Sequence, residues 1–168
     1  MLKIWELLSF PFQAKLVGSS KGESIMSKPV SNKFSGTKGE GAALISQLEA
    51  RGEKFKKEEV VAITKDHDNK IIWLEKGHLN QKASGFAHIL AKHGNDFANQ
   101  GITAAEIPQY LMYAVKEGTI VSRQRHGTGR PVYEFYYEGK RRRVAVSIGK
   151  NGYIVGANPM TTPKGGKS

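Results

Sequence analysis

The chain has 168 residues, 39% of them hydrophobic and 9% aromatic, with no cysteine and a formal net charge of +11. That length supports one good core plus an appendage and excludes two large domains, while the absence of cysteine excludes disulfides, thiolate catalysis and Cys-type zinc sites. No apolar run approaches the ~20 residues of a membrane span. The charge is uneven. Residues 1–80 hold 13 Lys+Arg against 10 Asp+Glu (13 − 10 = +3), and residues 81–168 hold 13 against 5 (13 − 5 = +8). A positive field concentrated in one half suits a polyanion such as nucleic acid; an acidic protein partner would satisfy the same field.

The opening MLKIWELLSFPF carries Glu6, is cut short by Pro11 and lacks a small-residue cleavage site, so it does not read as a signal peptide. Residues 13–40 are rich in Ser, Gly and Lys without a period and read as a linker. In GAALISQLEAR (41–51), Ala43, Leu44, Gln47, Leu48 and Arg51 fall at helical spacing and predict a short amphipathic helix. Two β-branched runs then flank Asp66-His67-Asp68-Asn69, the pattern of a hairpin with an Asx-type turn. A helix is expected from about Ala83 to Phe97. In a second one, Thr103 and Glu106 form a capping box and Ile102 and Ile107 a hydrophobic staple. Pro108 offers an alternative start, and Gly118 is a natural stop. Beyond it the period switches to two: TIVSRQR, PVYEFYYEG, KRRRVAVSIG and GYIVGANP read as strands, with Glu138-Gly139 and Asn151-Gly152 as tight turns. The expected class is α+β, with helices packed on one face of a C-terminal antiparallel β-meander and a frayed tail at 161–168.

The stretch GFAHILAKHG (85–94) sets two of five histidines in one helix with Lys92 between them. At ~100° per residue Phe86, Leu90, His93 and Phe97 share a narrow face, with His88 and Lys92 on the opposite side. Periodicity alone makes His88 the candidate proton-transfer group and His93 a buried or half-buried imidazole bonded to a backbone carbonyl; a surface His88 is the plain alternative. In RRRVAVSIG, Val144, Val146 and Ile148 alternate with Arg141, Arg143 and Ser147, so one face is apolar and the other cationic. The aromatics of the preceding strand, Tyr137 among them, offer stacking surface for unpaired bases. The loop SRQRHGTGR adds Arg123, Arg125, His126, Thr128 and Arg130, unless it is simply a solvated hairpin loop. There is no P-loop, no HExxH and no i,i+4 histidine pair, so neither a metal nor a cofactor is expected.

The order IIWLEKG, GFAHILAKHG, a helix ending in glycine and a basic meander closing with GYIVGANP resembles the barnase–EndoU–colicin–RelE-like (BECR-type) toxin nucleases, including phage and contact-dependent growth-inhibition toxins, over residues 55–160. The resemblance implies a metal-independent endoribonuclease of bacterial competition, with tRNA the favoured substrate. It implies action in the bacterial cytoplasm and neutralisation by a cognate immunity protein, for which an acidic surface would suit the +8 half. It divides the chain into an N-terminal delivery or accessory segment (1–50), a nuclease domain (53–160) and the tail, which fits the C-terminal part of a larger secreted toxin. His88 and His93 take the places of the helix histidines, and one of Arg123, Arg125, Arg141 or Arg143 that of the sheet arginine. The closing-strand hydroxyl of the class is missing here or replaced by Asn158, Ser147 or Thr161. The catalytic set expected on this basis is His88, His93, Arg125, Ser147 and Asn158. The RNA-binding set is Lys92, Arg123, Arg130, Tyr137, Arg141 and Arg143. The competing readings are a non-catalytic RNA- or ribosome-binding domain using the same basic sheet, and a phage structural or host-interaction protein.

Overall fold

A computed structural model describes residues 33–164; the opening stretch, the first part of the expected linker and the last four residues lie outside it. Among the described residues the chain runs α1 (Gly39–Ala50), β1 (Val60–Lys65), β2 (Ile71–Glu75), α2 (Gly85–Asn99), α3 (Ile107–Glu117), β3 (Thr119–Arg123), β4 (Pro131–Tyr137), β5 (Lys140–Ile148) and β6 (Ile154–Met160). Strands β1 and β2 pair as an antiparallel hairpin, and β3–β4–β5–β6 form an antiparallel meander in sequence order. The class is α+β, as the switch from helical to period-two patterning predicts. No helix among the described residues is long and apolar enough to cross a membrane.

Local chemistry sets the turns. Asp66 Oδ1 accepts the Asp68 and Lys70 amides at 2.9 and 3.0 Å, and Asn69 adopts φ 60°, so the first hairpin closes on the expected Asx turn. Glu138 and Gly139 both take positive φ (51° and 76°), the backbone a two-residue hairpin between twisted strands requires. Thr103 and Glu106 do form a capping box: the Thr103 amide and hydroxyl donate to Glu106 Oε2 at 2.8 and 2.9 Å. The box caps a single 3₁₀ turn that runs into α3 at Ile107, with Pro108 in the first turn of the helix proper. Gly118 ends α3 in an extended conformation, where a Cβ would overlap the Ala114 carbonyl.

The apolar run IIWL is buried on both faces. Ala62, Ile72 and Leu74 join the main core with Phe97, Tyr110, Leu111 and the inner face of the meander (Tyr133, Phe135, Tyr137, Val144, Val146). Ile63, Ile71 and Trp73 point the other way and pack under Leu44, Ile45 and Leu48 of α1. The hairpin is thus a middle layer, and α1 completes a core instead of standing in a separate segment. Phe34 also joins the main core, against Tyr113, so the packed body reaches back past the boundary expected at residue 53.

Tyr110 is the hub of the main core, with edge-on ring contacts to Phe97, Phe135 and Tyr137 at centroid distances of 5.8, 4.9 and 5.0 Å. Burial pushes its hydroxyl up to about 12. The sheet's outer face follows from register. Along β5, Arg141, Arg143, Ala145 and Ser147 share that face. They pair across β4 with Tyr136, Glu134 and Val132, and across β6 with Met160, Asn158 and Gly156. Arg142 points inward, where its Nη1 donates to the Gln100 carbonyl at 3.0 Å.

Because Leu48 is 1% exposed between α1 and the hairpin, Leu48→Ala is expected to destabilise the protein by about 2–5 kcal/mol. Urea unfolding measures this; a change within about 0.5 kcal/mol, the usual range for surface substitutions, would show that α1 does not belong to the core.

Candidate active site

Helix α2 is fixed at both ends against β6. At its start, Gly77 and Gly85 adopt φ 72° and 75° and their backbones cross: a Cβ on Gly85 would lie 2.8 Å from Gly77 Cα, and one on Gly77 would overlap the Ser84 carbonyl. His78 and Ser84 exchange two backbone hydrogen bonds of 3.1 Å across this crossing, and the Ala87 amide donates to the Lys76 carbonyl at 2.8 Å. Ser84 does not cap the helix; its hydroxyl lies 2.9 Å from the Tyr153 hydroxyl, just before β6. At the far end Gln100 Nε2 donates to the Met160 carbonyl at 3.3 Å.

Held in this way, the second turn of α2 places His88 over Gly156. A Cβ at Gly156 would sit 3.5 Å from His88 Cδ2 and 3.4 Å from Arg130 Nη2, so the imidazole and the guanidinium converge on the one position of β6 that has no side chain. Arg130 is oriented in turn. Its Nη1 donates to Asn158 Oδ1 at 3.1 Å, and the same oxygen accepts from Gln124 Nε2 at 3.4 Å. Gln124 also anchors the arginine-rich loop, its amide donating to the Arg130 carbonyl at 2.9 Å and its carbonyl accepting from Gly129 at 2.8 Å. Ser147 pairs with Gly156 across the strands and so lies on the same face.

His88 Nδ1 is buried and makes no hydrogen bond to another described residue, so any proton exchange with a substrate would have to run through Nε2. Burial first, and then the charges of Arg130, Lys92 and His93, hold the His88 pKa below its ordinary 6.5. The lowered pKa favours the neutral imidazole at pH 7 beside a fixed cation, the charge state of a proton acceptor next to an anion-binding group, with Nε2 the accepting nitrogen when the ring proton sits on Nδ1. Among the described residues no group of three or more His, Cys, Asp or Glu side chains is placed to hold a metal ion.

Of the residues expected from sequence, the fold brings together His88, Lys92, Arg130, Asn158 and Ser147. Others stand apart. His93 is half-buried, but its partner is not a backbone carbonyl: Nδ1 lies 2.9 Å from Asp96 Oδ2, and the ring lies about 140° round the helix from His88. Arg125 is exposed, in a left-handed conformation (φ 51°) that His126 shares (φ 53°), and the arginine beside His88 is Arg130 instead. Arg123 donates to the Gly129 carbonyl at 3.4 Å and Arg141 to that of Pro163 at 3.1 Å. Arg143 is ion-paired with Glu134 at 2.7 Å. Tyr137 cannot stack on a base: it is 5% exposed in the core, its hydroxyl donating to Glu106 at 3.3 Å. The aromatic of β4 that faces outward is Tyr136. Gln124 and Gly156 carried no sequence signal, since one acts by orienting Asn158 and the other by lacking a side chain.

No protein-family model matches the chain, and no curated protein matches it at a significant level.

The His88 environment has a sign that can be measured. Between its lowered folded pKa and 6.5 the unfolded chain binds a proton that the folded chain does not. Stability therefore falls as pH drops through 6.5 and levels off below the folded pKa. In an NMR titration His88 should titrate below 6.5 and move upward in Arg130→Ala; a midpoint at or above 6.5 in the wild-type protein would contradict the geometry.

Proposed function

We propose that this protein is a metal-independent endoribonuclease toxin of the barnase–EndoU–colicin–RelE-like kind, with His88 as general base and Arg130 as the phosphate-holding cation. The single observation that carries the reading is the convergence of a neutral histidine and an arginine above Gly156. The helices-then-meander order, with the site between a helix and the sheet's outer face, supports the same class.

In the proposed reaction the substrate phosphate lies between Arg130 and Lys92. His88 Nε2 removes the proton of the ribose 2′-hydroxyl, and the 2′-oxygen forms a bond to the adjacent phosphorus. The bond from phosphorus to the 5′-oxygen breaks, and that oxygen leaves with a proton from a second donor, which we assign to Lys92, one helical turn from His88. The products are a 2′,3′-cyclic phosphate and a 5′-hydroxyl. Arg130 stabilises the charge that builds on the phosphate oxygens, and its anchor through Asn158 to Gln124 keeps it in place before the reaction. Asn158 and Ser147 supply polar groups on the outer face where the class has its hydroxyl. His93, turned to Asp96, supports the helix and does not enter the reaction.

The toxin reading extends to biology in the same terms. The basic surface is covered by an acidic immunity protein in the producing cell, the target is bacterial RNA with tRNA favoured, and the site of action is the cytoplasm of the attacked cell.

Kinetics on a single-stranded RNA test the assignment. His88→Ala and Arg130→Ala should each lower kcat/KM by about 10²–10⁴-fold, while His93→Ala should change it less than about 10-fold. Full activity in a folded His88→Ala variant would sink the reading, and intact RNA bound without turnover would favour a non-catalytic RNA-binding domain.

A further inference from the structure

The outer face of the sheet carries a second feature at the end opposite His88. Of the four aromatic side chains that β4 offers in VYEFYY, Tyr133, Phe135 and Tyr137 turn into the core, while Tyr136 stands 73% exposed. Its cross-strand partner on the same face is Arg141, which is exposed and tethered through Nη2 to the Pro163 carbonyl. Tyr136 also borders a cavity of about 240 Å³ lined by Gln109, Tyr113, Tyr137 and Glu138. The ring itself is open to solvent. No packing requirement explains an aromatic there, since the core on the inner face is complete without it.

The distance to the candidate active site follows from register. Ser147, level with Gly156, and Arg141, level with Tyr136, are six residues apart on β5; at about 3.4 Å per residue this is roughly 20 Å. The face between them is nearly neutral, because Arg143 and Glu134 are paired there at 2.7 Å, both about three-quarters buried. Positive charge on this face therefore gathers at the two ends, Lys92 and Arg130 beside His88 at one and Arg141 at the other. An aromatic ring next to a guanidinium matches the π-face of an unpaired base with its phosphate alongside. A duplex hides those faces inside its stack, so the pair suits a single strand.

We propose that Tyr136 and Arg141 form a base-stacking subsite for a nucleotide some distance along the strand from the scissile phosphate, so that the substrate is a single-stranded segment laid across the sheet from Arg130 to Tyr136. This deepens the nuclease reading and rests on it for the position of the scissile bond. About six nucleotides cover the span at the stacked rise of roughly 3.4 Å, and fewer when the strand is extended.

The test compares two substrates of the full-length protein: a dinucleotide, which occupies only the His88 end, and a single-stranded RNA long enough to span the face in either direction. Tyr136→Ala should lower kcat/KM on the long RNA about 10-fold and leave the dinucleotide unchanged, while Tyr136→Phe, which keeps the ring, should match wild type on both. Equal loss on both substrates, or no loss on the long one, overturns the subsite. A second readout does not depend on catalysis. The Tyr136→Trp protein is titrated with a single-stranded DNA oligonucleotide, which lacks the 2′-hydroxyl, and its fluorescence is compared with that of wild type, whose Trp73 is fully buried. Quenching specific to the variant upholds the subsite even if wild type cleaves nothing and the nuclease reading falls. No quenching by DNA or RNA overturns it, including the case in which only an acidic protein partner perturbs the new tryptophan.

Discussion

The backbone crossing at Gly77 and Gly85 fixes where α2 begins, and the candidate site depends on that placement. Two extended segments meet there at a separation that no side chain on either residue permits, tied by the paired amides of His78 and Ser84 and by the Ser84–Tyr153 contact. The crossing seats the first turns of α2 on the strand that follows Tyr153. From that anchor, His88 reaches Gly156 one turn later, and the helix continues along β6 to Gln100 and Met160. A substituent at either glycine would push the helix away from the sheet, and His88 and Arg130 would separate although both would remain in the chain.

The surroundings of His88 are unusual for a histidine held by structure alone. His88 shares a buried, unpartnered Nδ1 with His78, but the charged groups acting on its ring are cations or a second histidine. This arrangement costs stability when the ring is protonated and favours the neutral imidazole near neutrality. Arg130, by contrast, is held through Asn158 and Gln124. A prepositioned cation beside an unprotonated base is a common solution for moving a proton off a nucleophile while charge develops on a phosphate. The ion pair of Glu134 and Arg143 leaves this cationic end distinct from the rest of the outer face.

Features fixed by neighbours in sequence are legible in the sequence: the Asx turn at Asp66, the Glu138-Gly139 hairpin, the Thr103–Glu106 box and the alternation that turns Arg141 and Arg143 outward. Features fixed by tertiary packing are not. A helical wheel groups His93 with Phe86, Leu90 and Phe97, but α2 buries Ala87 and Ile89 as well, because it packs on β2 and β6 at once. The buried arc is rotated, and His93 is left at its margin beside Asp96. In β4 consecutive tyrosines occupy both parities, and only pairing with β5 decides that Tyr137 goes inward and Tyr136 outward. For α1, composition marks the preceding stretch as a linker, whereas the helix is needed to cover Trp73 on the hairpin's second face. Arg130 was visible as a loop cation, but its nearness to His88 depends on a register between distant segments.

The most direct test of a 2′-hydroxyl mechanism is cleavage of an RNA at a mapped bond in the presence of EDTA, repeated on the same oligonucleotide carrying a single 2′-deoxyribose at that bond. The account predicts that the native RNA is cut to a 2′,3′-cyclic phosphate and a 5′-hydroxyl, and that the substituted bond stays intact. Cleavage of the substituted bond, or products with 5′-phosphate ends, would contradict it.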